Sequence, residues 1–358
     1  MIPRRRGAGL LLLLVLTAGA CADPQPRPRE PGAEGTTSSV SGPGALTAPR
    51  RQLAVADVAT NLDTVWAIAF SPDGRMHATE RGGTLRSWVP QADGSFEEAA
   101  AEEVRGVVET GEAGLMGLAI DSRSRRFLMY TAERENRIVR LESDGSQTVL
   151  VDGIAAGSVH DGGRLVFGPD GLLYASTGDA GNRESVRREG LNGRTLQIDP
   201  DSGEYEVFTT GHRNPQGLCF AASGKLFSTE HGPDRGDEIN ALEQGADYGW
   251  PETTGTGLAN YTPTIAPSGC AVYEADLIPQ WKGDLLFGTL KDQSLRRLDL
   301  DPKQQSVLGQ ERLYAGEFGR IRDVVVGPDG AVYLATSNRD GRGNAGRSDD
   351  RIIRIAPG

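Results

Sequence analysis

Histidine is scarce in this chain, and one of its four copies stands where it could act as a base. His160 precedes one apolar, strand-like segment, and Asp179 follows the next. An antiparallel hairpin returns the chain to the end from which it started, so we expect both side chains at that end. A carboxylate fixes the tautomer of a histidine and stabilises its imidazolium. The pair is therefore either a general base with its orienting acid or a structural contact that closes the hairpin.

An acidic segment further along the chain could hold a hard cation. Residues 230–240 combine carboxylates with Gly and Pro, and the run continues to Asp247-Tyr-Gly-Trp-Pro251. Ca²⁺ prefers carboxylate and free carbonyl oxygens as ligands. A solvated loop has the same composition, so both interpretations stay open.

Two arginines form a further candidate site. Arg320 and Arg322 stand at alternate positions of an apolar segment, so a strand would present them on one face. This spacing suits a bidentate clamp for carboxylates or phosphates. Salt bridges to neighbouring parts of the fold would explain it equally well.

The composition limits the fold class and the partners. The 358 residues include 48 Gly and 20 Pro, with few helix signals and recurrent Gly-rich turns, which favours an all-β fold. The 49 Asp and Glu outnumber the 38 Lys and Arg, and no basic stripe is present, so we expect no nucleic-acid partner. An anionic ligand would need a few well-placed cations.

One unit repeats from residue 53 onward: an apolar strand, a Pro-Asp-Gly-type turn, a second strand and a polar loop. In the turn, Pro presets φ, Asp bonds the local backbone and Gly takes a positive φ. The anchor residues of the copies are Phe70, Ile120, Phe167, Phe220, Trp281 and Val326. Six units at near-equal spacing predict a six-bladed β-propeller of four-stranded blades, closed by strands from both termini. A β-sandwich would not explain this spacing.

The N-terminal region predicts export. Residues 1–21 combine Arg4-Arg5-Arg6, an apolar run and small residues before Cys21, as in a signal peptide with a lipobox-like end. We expect a lipid anchor at Cys21 as the only membrane attachment, a disordered linker at 22–50 and the propeller domain at 51–358. The protein would then lie in the periplasm or at the cell surface. An ordinary secretory signal is the alternative.

Two cysteines remain in the exported part. Cys219 and Cys270 both stand in apolar, strand-like contexts. An oxidising compartment would allow them to pair, but we expect two separate buried thiols.

Taken together, these segments resemble the glucose/sorbosone dehydrogenase family, the soluble aldose sugar dehydrogenases that depend on pyrroloquinoline quinone (PQQ). The matching motifs occur in the family order across residues 53–355. They are Trp66-Ala-Ile-Ala-Phe-Ser-Pro-Asp-Gly74, Thr79-Glu-Arg81, Gly114-Leu-Met-Gly117, Gly162-Gly-Arg-Leu165, Gly211-His-Arg-Asn-Pro-Gln-Gly217, Glu230-His-Gly-Pro233, Tyr248-Gly-Trp-Pro251, Ala266-Pro-Ser-Gly269 and Arg320-Ile-Arg-Asp-Val324. The compact loops resemble the aldose sugar dehydrogenase branch more than the glucose dehydrogenase branch.

The resemblance implies a reaction and its catalytic residues. His160 matches the base that takes the proton of an aldose C1 hydroxyl while hydride passes to C5 of the quinone, which yields a lactone. Asp179 matches the carboxylate that orients this base. Arg213 and Asn214 match the pair beside the reacting quinone oxygens, where negative charge develops. The electrons would pass on to an external quinone or cytochrome.

The resemblance also implies how PQQ and Ca²⁺ are held. The backbone carbonyls of Gly232 and Pro233 match ligands of a Ca²⁺ that also chelates the cofactor. Glu238 and Tyr248 match ligands of a second, structural Ca²⁺. Further cofactor-binding positions are matched by Glu112, His231, Thr264, Lys291, Arg320 and Arg322. The cations among them would hold the three carboxylates of PQQ.

Two departures from the family pattern concern cofactor binding. Glu112 stands where the family usually has Gln. An added carboxylate weakens the binding of a tricarboxylate unless a cation or a proton compensates it. Thr262 stands where the glucose enzyme has an aromatic side chain over the cofactor.

Two other functions stay open beside the dehydrogenase. One is a Ca²⁺-dependent lactonase-type hydrolase, which needs no quinone but leaves Lys291, Arg320 and Arg322 without a shared ligand. The other is a propeller that binds no cofactor and serves as a binding module, which the departure at Glu112 would favour.

Overall fold

The computed structural model describes residues 53–187 and 189–358. The predicted signal peptide, the anchor at Cys21 and the linker at 22–50 lie outside the described residues. Within the described ranges, no helix has the length and apolar character needed to cross a membrane.

The described residues form six antiparallel sheets of four strands each. The chain enters through β1 (Leu53–Ala59), which belongs to the sixth sheet. The first two sheets contain β2 (Val65–Phe70), β3 (Met76–Glu80), β4 (Thr84–Pro90), β5 (Phe96–Glu103), β6 (Leu115–Ile120), β7 (Arg126–Ala132), β8 (Glu135–Leu141) and β9 (Gln147–Ala155). The third and fourth contain β10 (Gly162–Phe167), β11 (Leu173–Thr177), β12 (Thr195–Ile198), β13 (Tyr205–Thr209), β14 (Pro215–Phe220), β15 (Leu226–Glu230), β16 (Asp237–Leu242) and β17 (Ala259–Tyr261). The last two contain β18 (Pro267–Val272), β19 (Leu285–Thr289), β20 (Leu295–Leu300), β21 (Val307–Leu313), β22 (Ile321–Val326), β23 (Val332–Thr336) and β24 (Ile352–Pro357).

This arrangement confirms the predicted six-bladed propeller of four-stranded blades. The sixth blade has the strand order β22, β23, β24 and β1, so the first described strand pairs with the last. Val55 lies opposite Ile355 in this antiparallel pair. The pairing of strands from both ends of the propeller closes the ring, as the sequence predicts. Helical structure in the described ranges is limited to α1 (Arg183–Arg187) and a 3₁₀ turn at Pro279–Trp281.

The turns between the first two strands behave as their residues predict. In the three Pro-Asp-Gly copies the glycines have positive φ, at 85° for Gly74, 78° for Gly171 and 76° for Gly330. The aspartate before each glycine accepts a local backbone hydrogen bond, as Asp170 Oδ1 does from the amide of Leu172 at 3.1 Å. These turns all lie at one end of the propeller because each follows the first strand of its blade.

The anchor aromatics join neighbouring blades. Each of three anchors packs its ring edge-on against an aromatic residue in the second strand of the preceding blade. The pairs and their centroid distances are Phe70 with Tyr333 at 4.9 Å, Phe167 with Phe127 at 5.2 Å and Phe220 with Tyr174 at 5.0 Å. Such pairs contribute about 0.5–1.5 kcal/mol each beyond the burial of their area. The sequence repeat therefore reflects the packing between neighbouring blades as well as the turn.

The fifth blade differs from the expected repeat. The sequence places its anchor at Trp281, but the first strand is β18, which ends at Val272. Trp281 lies in the 3₁₀ turn within an insertion between β18 and β19. The insertion contains the buried Trp281, and the apolar strand β19 follows it. In sequence, the two together resemble a strand–turn–strand copy. With Val272 as the anchor, the spacing of the blades becomes more regular.

The expectation of two separate thiols is wrong, because Cys219 and Cys270 form a disulfide. Cys219 lies in β14 and Cys270 in β18, the innermost strands of adjacent blades. Their Cα atoms are 5.8 Å apart, within the usual range for a bridge. The sequence could not show this proximity, since it arises only from the packing of one blade against the next.

Candidate active site

The candidate site lies at the end of the propeller opposite the Pro-Asp-Gly turns. Here the first strand of each blade begins and the second strand ends. Loops from all six blades surround a cavity of about 280 Å³. The predicted site residues that line it are Glu112, His160, Arg213, His231, Gly232, Pro233, Thr264, Lys291, Arg320 and Arg322. The fold therefore brings together residues that are up to 210 positions apart in the sequence.

The predicted histidine–carboxylate pair is present. His160 Nδ1 lies 2.9 Å from Asp179 Oδ1. The buried carboxylate also accepts hydrogen bonds from the amide of Gly181 at 2.8 Å and from Trp250 Nε1 at 3.0 Å. These contacts fix the proton of the neutral imidazole on Nδ1 and leave Nε2 as the acceptor that faces the cavity.

His160 is also held in an uncommon backbone conformation. Its φ is 62°, in the left-handed region that non-glycine residues seldom adopt. Such a conformation costs about 1–3 kcal/mol and persists where the surroundings impose it, often at functional sites. Its carbonyl accepts a hydrogen bond from the amide of Ala180 at 3.0 Å, which ties it to the loop of Asp179.

Arg213 connects the histidine to the turn that follows β15. Its Nη2 lies 3.2 Å from His160 Nε2, and its Nη1 donates to the carbonyls of Gly232 at 2.7 Å and His231 at 3.1 Å. Burial lowers the pKa of the Arg213 guanidinium. The stack on Trp250, 5.4 Å from the ring centroid, stabilises the cation in this position.

A buried network places Arg213. Its backbone amide donates to Glu230 Oε1, and Glu230 Oε2 lies 2.8 Å from His212 Nδ1. His212 Nε2 is in turn 2.8 Å from Thr209 Oγ1. His212 is fully buried, so this chain of contacts has no access to a substrate and serves to position Arg213. Tyr248 stacks on the His212 ring at 5.0 Å.

His231 lines the cavity, whereas the buried Asn214 does not. Asn214 Oδ1 accepts from the amide of Gly162 at 3.3 Å and from Gln216 Nε2 at 3.0 Å. Burial holds the pKa of His231 well below its usual value, so this imidazole is neutral. His231 Nε2 is buried and has no hydrogen-bond partner among the described residues.

Arg320 and Arg322 both line the cavity and both lie near the carboxylate of Asp340, at 2.8 and 3.6 Å, so their role as a clamp for a ligand stays a prediction. Arg320 Nε donates to Asp340 Oδ2 at 2.8 Å, and its Nη1 donates to the Leu290 carbonyl at 3.1 Å. Arg322 Nη1 donates to Gln216 Oε1 at 2.8 Å. Arg322 Nε has no hydrogen-bond partner within the described residues. Burial lowers the pKa of Arg322 to about 10, so it stays charged at neutral pH.

One carboxylate of the acidic segment, that of Asp237, has a structural role. Asp237 is fully buried, and its carboxylate accepts from the amide of Gly232 at 2.8 Å and from Thr264 Oγ1 at 2.7 Å. It also accepts from the amides of Ile265 at 2.7 Å and Ala266 at 2.8 Å. Asp237 therefore fixes the Gly232–Pro233 turn to the Thr264 loop, and a solvated loop is excluded for this residue.

The two residues predicted for a second Ca²⁺ site have separate partners. Glu238 Oε1 accepts from Thr254 Oγ1 at 3.0 Å. Tyr248 Oη donates to the Ala241 carbonyl at 2.7 Å. Within the residues that the structure describes, no group of three His, Cys, Asp or Glu side chains is arranged to hold a metal. The second Ca²⁺ site stays a prediction.

Comparison with known proteins agrees with this geometry. The family model described as Glucose / Sorbosone dehydrogenase matches residues 62–353. The chain belongs to the glucose/sorbosone dehydrogenase family. This confirms the resemblance drawn from the motifs.

Relatives within the glucose/sorbosone dehydrogenase family cover most of the chain. Aldose sugar dehydrogenase YliI of Escherichia coli K12 is 32% identical over 78% of this chain and 89% of its own length. Quinoprotein glucose dehydrogenase B of Acinetobacter calcoaceticus is 24% identical over 82% of this chain and 87% of its own. The PQQ-bound aldose sugar dehydrogenase of Streptomyces coelicolor superposes with a TM-score of 0.76 at 34% identity, over 86% of this chain and 99% of its own.

The loop between β23 and β24 adds two residues to this glucose/sorbosone dehydrogenase site that the motifs missed. Asp340 and Arg342 line the cavity together with Arg320 and Arg322. Burial would raise the pKa of Asp340, but these two clamp arginines lower it below its usual value. This loop follows the second strand of its blade, as Asp179 does in the third blade. Its position after that strand is the sequence feature that could have identified it as part of the site. Of the two neighbouring threonines, Thr264 lines the cavity, whereas Thr262 Oγ1 accepts from the amide of Gly236 at 3.1 Å.

Proposed function

We propose that this protein is a PQQ- and Ca²⁺-dependent dehydrogenase that oxidises the C1 hydroxyl of aldose sugars to the lactone and passes the electrons to an external acceptor. The observation that carries the proposal is one cavity lined both by His160, which the buried Asp179 orients, and by a group of cations, Lys291, Arg320 and Arg322. Family membership and the PQQ-bound relative support the same reaction class.

The cavity residues fit a tricarboxylate. Lys291, Arg320 and Arg322 line the cavity, and Arg322 Nε is a buried donor with no partner in the described part of the chain. Leaving such a donor unpaired costs about 1–3 kcal/mol, and a bound carboxylate would recover this energy. Gln216 and Asp340 hold the two guanidinium groups in place, so little ordering is needed when a ligand binds.

His160 acts as the general base in this proposal. Its Nε2, which accepts from Arg213 Nη2 at 3.2 Å, takes the proton of the sugar C1 hydroxyl when the substrate displaces this contact, while Asp179 stabilises the imidazolium that forms. When bound, PQQ supplies the oxidant that accepts the hydride from C1. Arg213 stands beside Nε2 and can donate to oxygen atoms on which negative charge develops.

Ca²⁺ would be held by the carbonyl oxygens of Gly232 and Pro233, which line the cavity. Ca²⁺ takes six to eight oxygen ligands, so cofactor and water oxygens must supply the rest. The Gly232 carbonyl already accepts from Arg213 Nη1 at 2.7 Å. We also propose that Glu238 and Tyr248 belong to a second, structural Ca²⁺ site.

We infer from the leader that the protein is exported and held by a lipid on Cys21. This location would give the propeller direct access to sugars outside the cytoplasm and to a membrane-associated quinone or a cytochrome as electron acceptor. The Cys219–Cys270 disulfide supports an oxidising compartment.

The test is aldose-dependent reduction of an artificial dye by the purified protein. Activity is expected only when both PQQ and Ca²⁺ are added. A methyl glycoside of the same aldose is the matched control, because its C1 oxygen carries no proton for His160 to take. Equal rates with the aldose and its glycoside would contradict oxidation at C1. Lactone hydrolysis without PQQ would favour the hydrolase.

A further inference from the structure

A charge pair crosses the mouth of the cavity between blades that are not neighbours. Arg342 Nη1 lies 2.5 Å from Glu112 Oε1. Glu112 precedes β6 in the second blade, and Arg342 follows β23 in the sixth, with the first blade between them. Loops from these two blades can meet only near the central axis, and both side chains line the cavity.

The ion pair offsets an unfavourable negative charge at the site. Glu112 adds a carboxylate to a cavity that is otherwise suited to a polyanion, and it is close enough to act electrostatically on Arg322. Two other arginines that line the cavity have carboxylate partners of their own: Arg81 Nε lies 2.8 Å from Glu109 Oε1, and Arg320 binds Asp340. Arg342 is therefore placed to cancel the charge of Glu112.

We propose that Arg342 is a further cofactor-site residue, which sets the affinity for PQQ by neutralising Glu112. This inference rests on the proposed function. The ligand it concerns is a polycarboxylate, and the expected effect is electrostatic: removal of Arg342 leaves an unpaired carboxylate facing the anion, and removal of Glu112 leaves an additional free cation. Removing both restores the original net charge.

Replacement of Arg342 is compatible with folding. The side chains of Arg342 and Glu112 are 59% and 29% exposed. Exposed ion pairs contribute little to stability. Arg342→Gln and Glu112→Gln are therefore expected to keep the melting temperature of the parent, which separates an effect on binding from one on folding.

The experiment is an equilibrium titration of the full-length purified protein with PQQ at saturating Ca²⁺. Arg342→Gln is expected to weaken binding about tenfold, equivalent to about 1.4 kcal/mol. Glu112→Gln is expected to strengthen it, and the double variant to bind as the parent does. The matched control is Arg123→Gln, which breaks an exposed pair with Asp201 at the opposite end of the propeller and should change nothing.

Each outcome separates this inference from the function on which it rests. If the parent binds PQQ and Arg342→Gln binds equally well, Arg342 has no part in the site and the inference is wrong. Weaker binding by Glu112→Gln would also overturn it, because Glu112 would then attract the ligand. If the parent itself does not bind PQQ, the proposed function fails and the inference fails with it. Should Arg342→Gln not fold, a gain of affinity in Glu112→Gln still supports the charge cancellation, and no gain refutes it.

Discussion

Replacement of Asp179 by Asn tests the role of this carboxylate in the reaction. Asn can still accept the hydrogen bond from His160 Nδ1, now 2.9 Å from Asp179 Oδ1, but it has no charge to stabilise the imidazolium. The side chain of Asp179 is 3% exposed, so solvent screens this interaction little. Two unit charges about 4 Å apart interact by about 4 kcal/mol at an effective dielectric constant of 20.

We therefore expect Asp179→Asn to raise the barrier of the chemical step by about 2–4 kcal/mol, which lowers kcat roughly 30- to 900-fold. Stopped-flow measurement of cofactor reduction by an aldose gives this rate, and a separate titration gives the affinity for PQQ. Affinity and KM are expected to stay within about threefold of the parent, because Asp179 acts through His160 and not on the ligand.

The control for this variant is Asp170→Asn in the same blade. Asp170 accepts from the Tyr174 hydroxyl at 2.8 Å at the opposite end of the propeller, so its replacement should leave kcat unchanged. A kcat for Asp179→Asn within threefold of the parent would refute the electrostatic role of Asp179. A parallel loss of kcat and PQQ affinity would indicate a structural role instead.

Three further predictions concern stability. Asp237→Asn replaces an acceptor oxygen of a buried carboxylate that accepts from four groups by an amide NH2 group, which then faces a donor, and should lower the free energy of unfolding by about 1–3 kcal/mol in chemical denaturation; no loss would contradict its role as a clamp. A reducing agent should destabilise the parent by about 2–4 kcal/mol but leave Cys270→Ser unaffected, and equal shifts would exclude the disulfide. Burial raises the pKa of the Asp161 carboxyl from 3.8 to about 6, so the folded state binds the carboxyl proton more tightly than the unfolded state does. The stabilisation of the fold by this proton is present below about pH 4 and is lost as the pH rises through 6. Asp161→Asn should therefore be more stable than the parent at pH 7, with a difference in melting temperature that disappears near pH 4; a difference that is independent of pH would refute this assignment.

The parts of the fold that could be predicted are those encoded by local residue patterns. The Pro-Asp-Gly turns mark the end of the first strand in three blades, and the anchors Phe70, Phe167 and Phe220 recur because each packs against the preceding blade. The anchor predicted for the fifth blade was wrong, because an insertion in this blade places Trp281 in a similar pattern. The pattern identifies an apolar segment followed by a turn. An insertion between two strands can produce the same pattern, so the pattern alone does not identify the first strand of a blade.

The candidate site was predicted to the extent that its residues flank strands. His160 and Asp179 come from one hairpin, so their contact follows from antiparallel pairing. The contact of Arg342 with Glu112 and the bridge between Cys219 and Cys270 connect different blades. The distances between these residues depend on how the ring closes and how the blades pack. The spacing of residues along one sequence gives no information on either.

In the proposed reaction, His160 removes the proton of the sugar hydroxyl during oxidation by bound PQQ. The most direct test is anaerobic single-turnover reduction of the cofactor by an aldose, compared between the parent and His160→Ala, both loaded with PQQ and Ca²⁺ and followed by absorbance. Equal cofactor binding is expected in the two proteins, with reduction slowed by at least about 100-fold in the variant, the order of magnitude that a positioned base contributes. Reduction at the parental rate by His160→Ala would show that His160 is not the base.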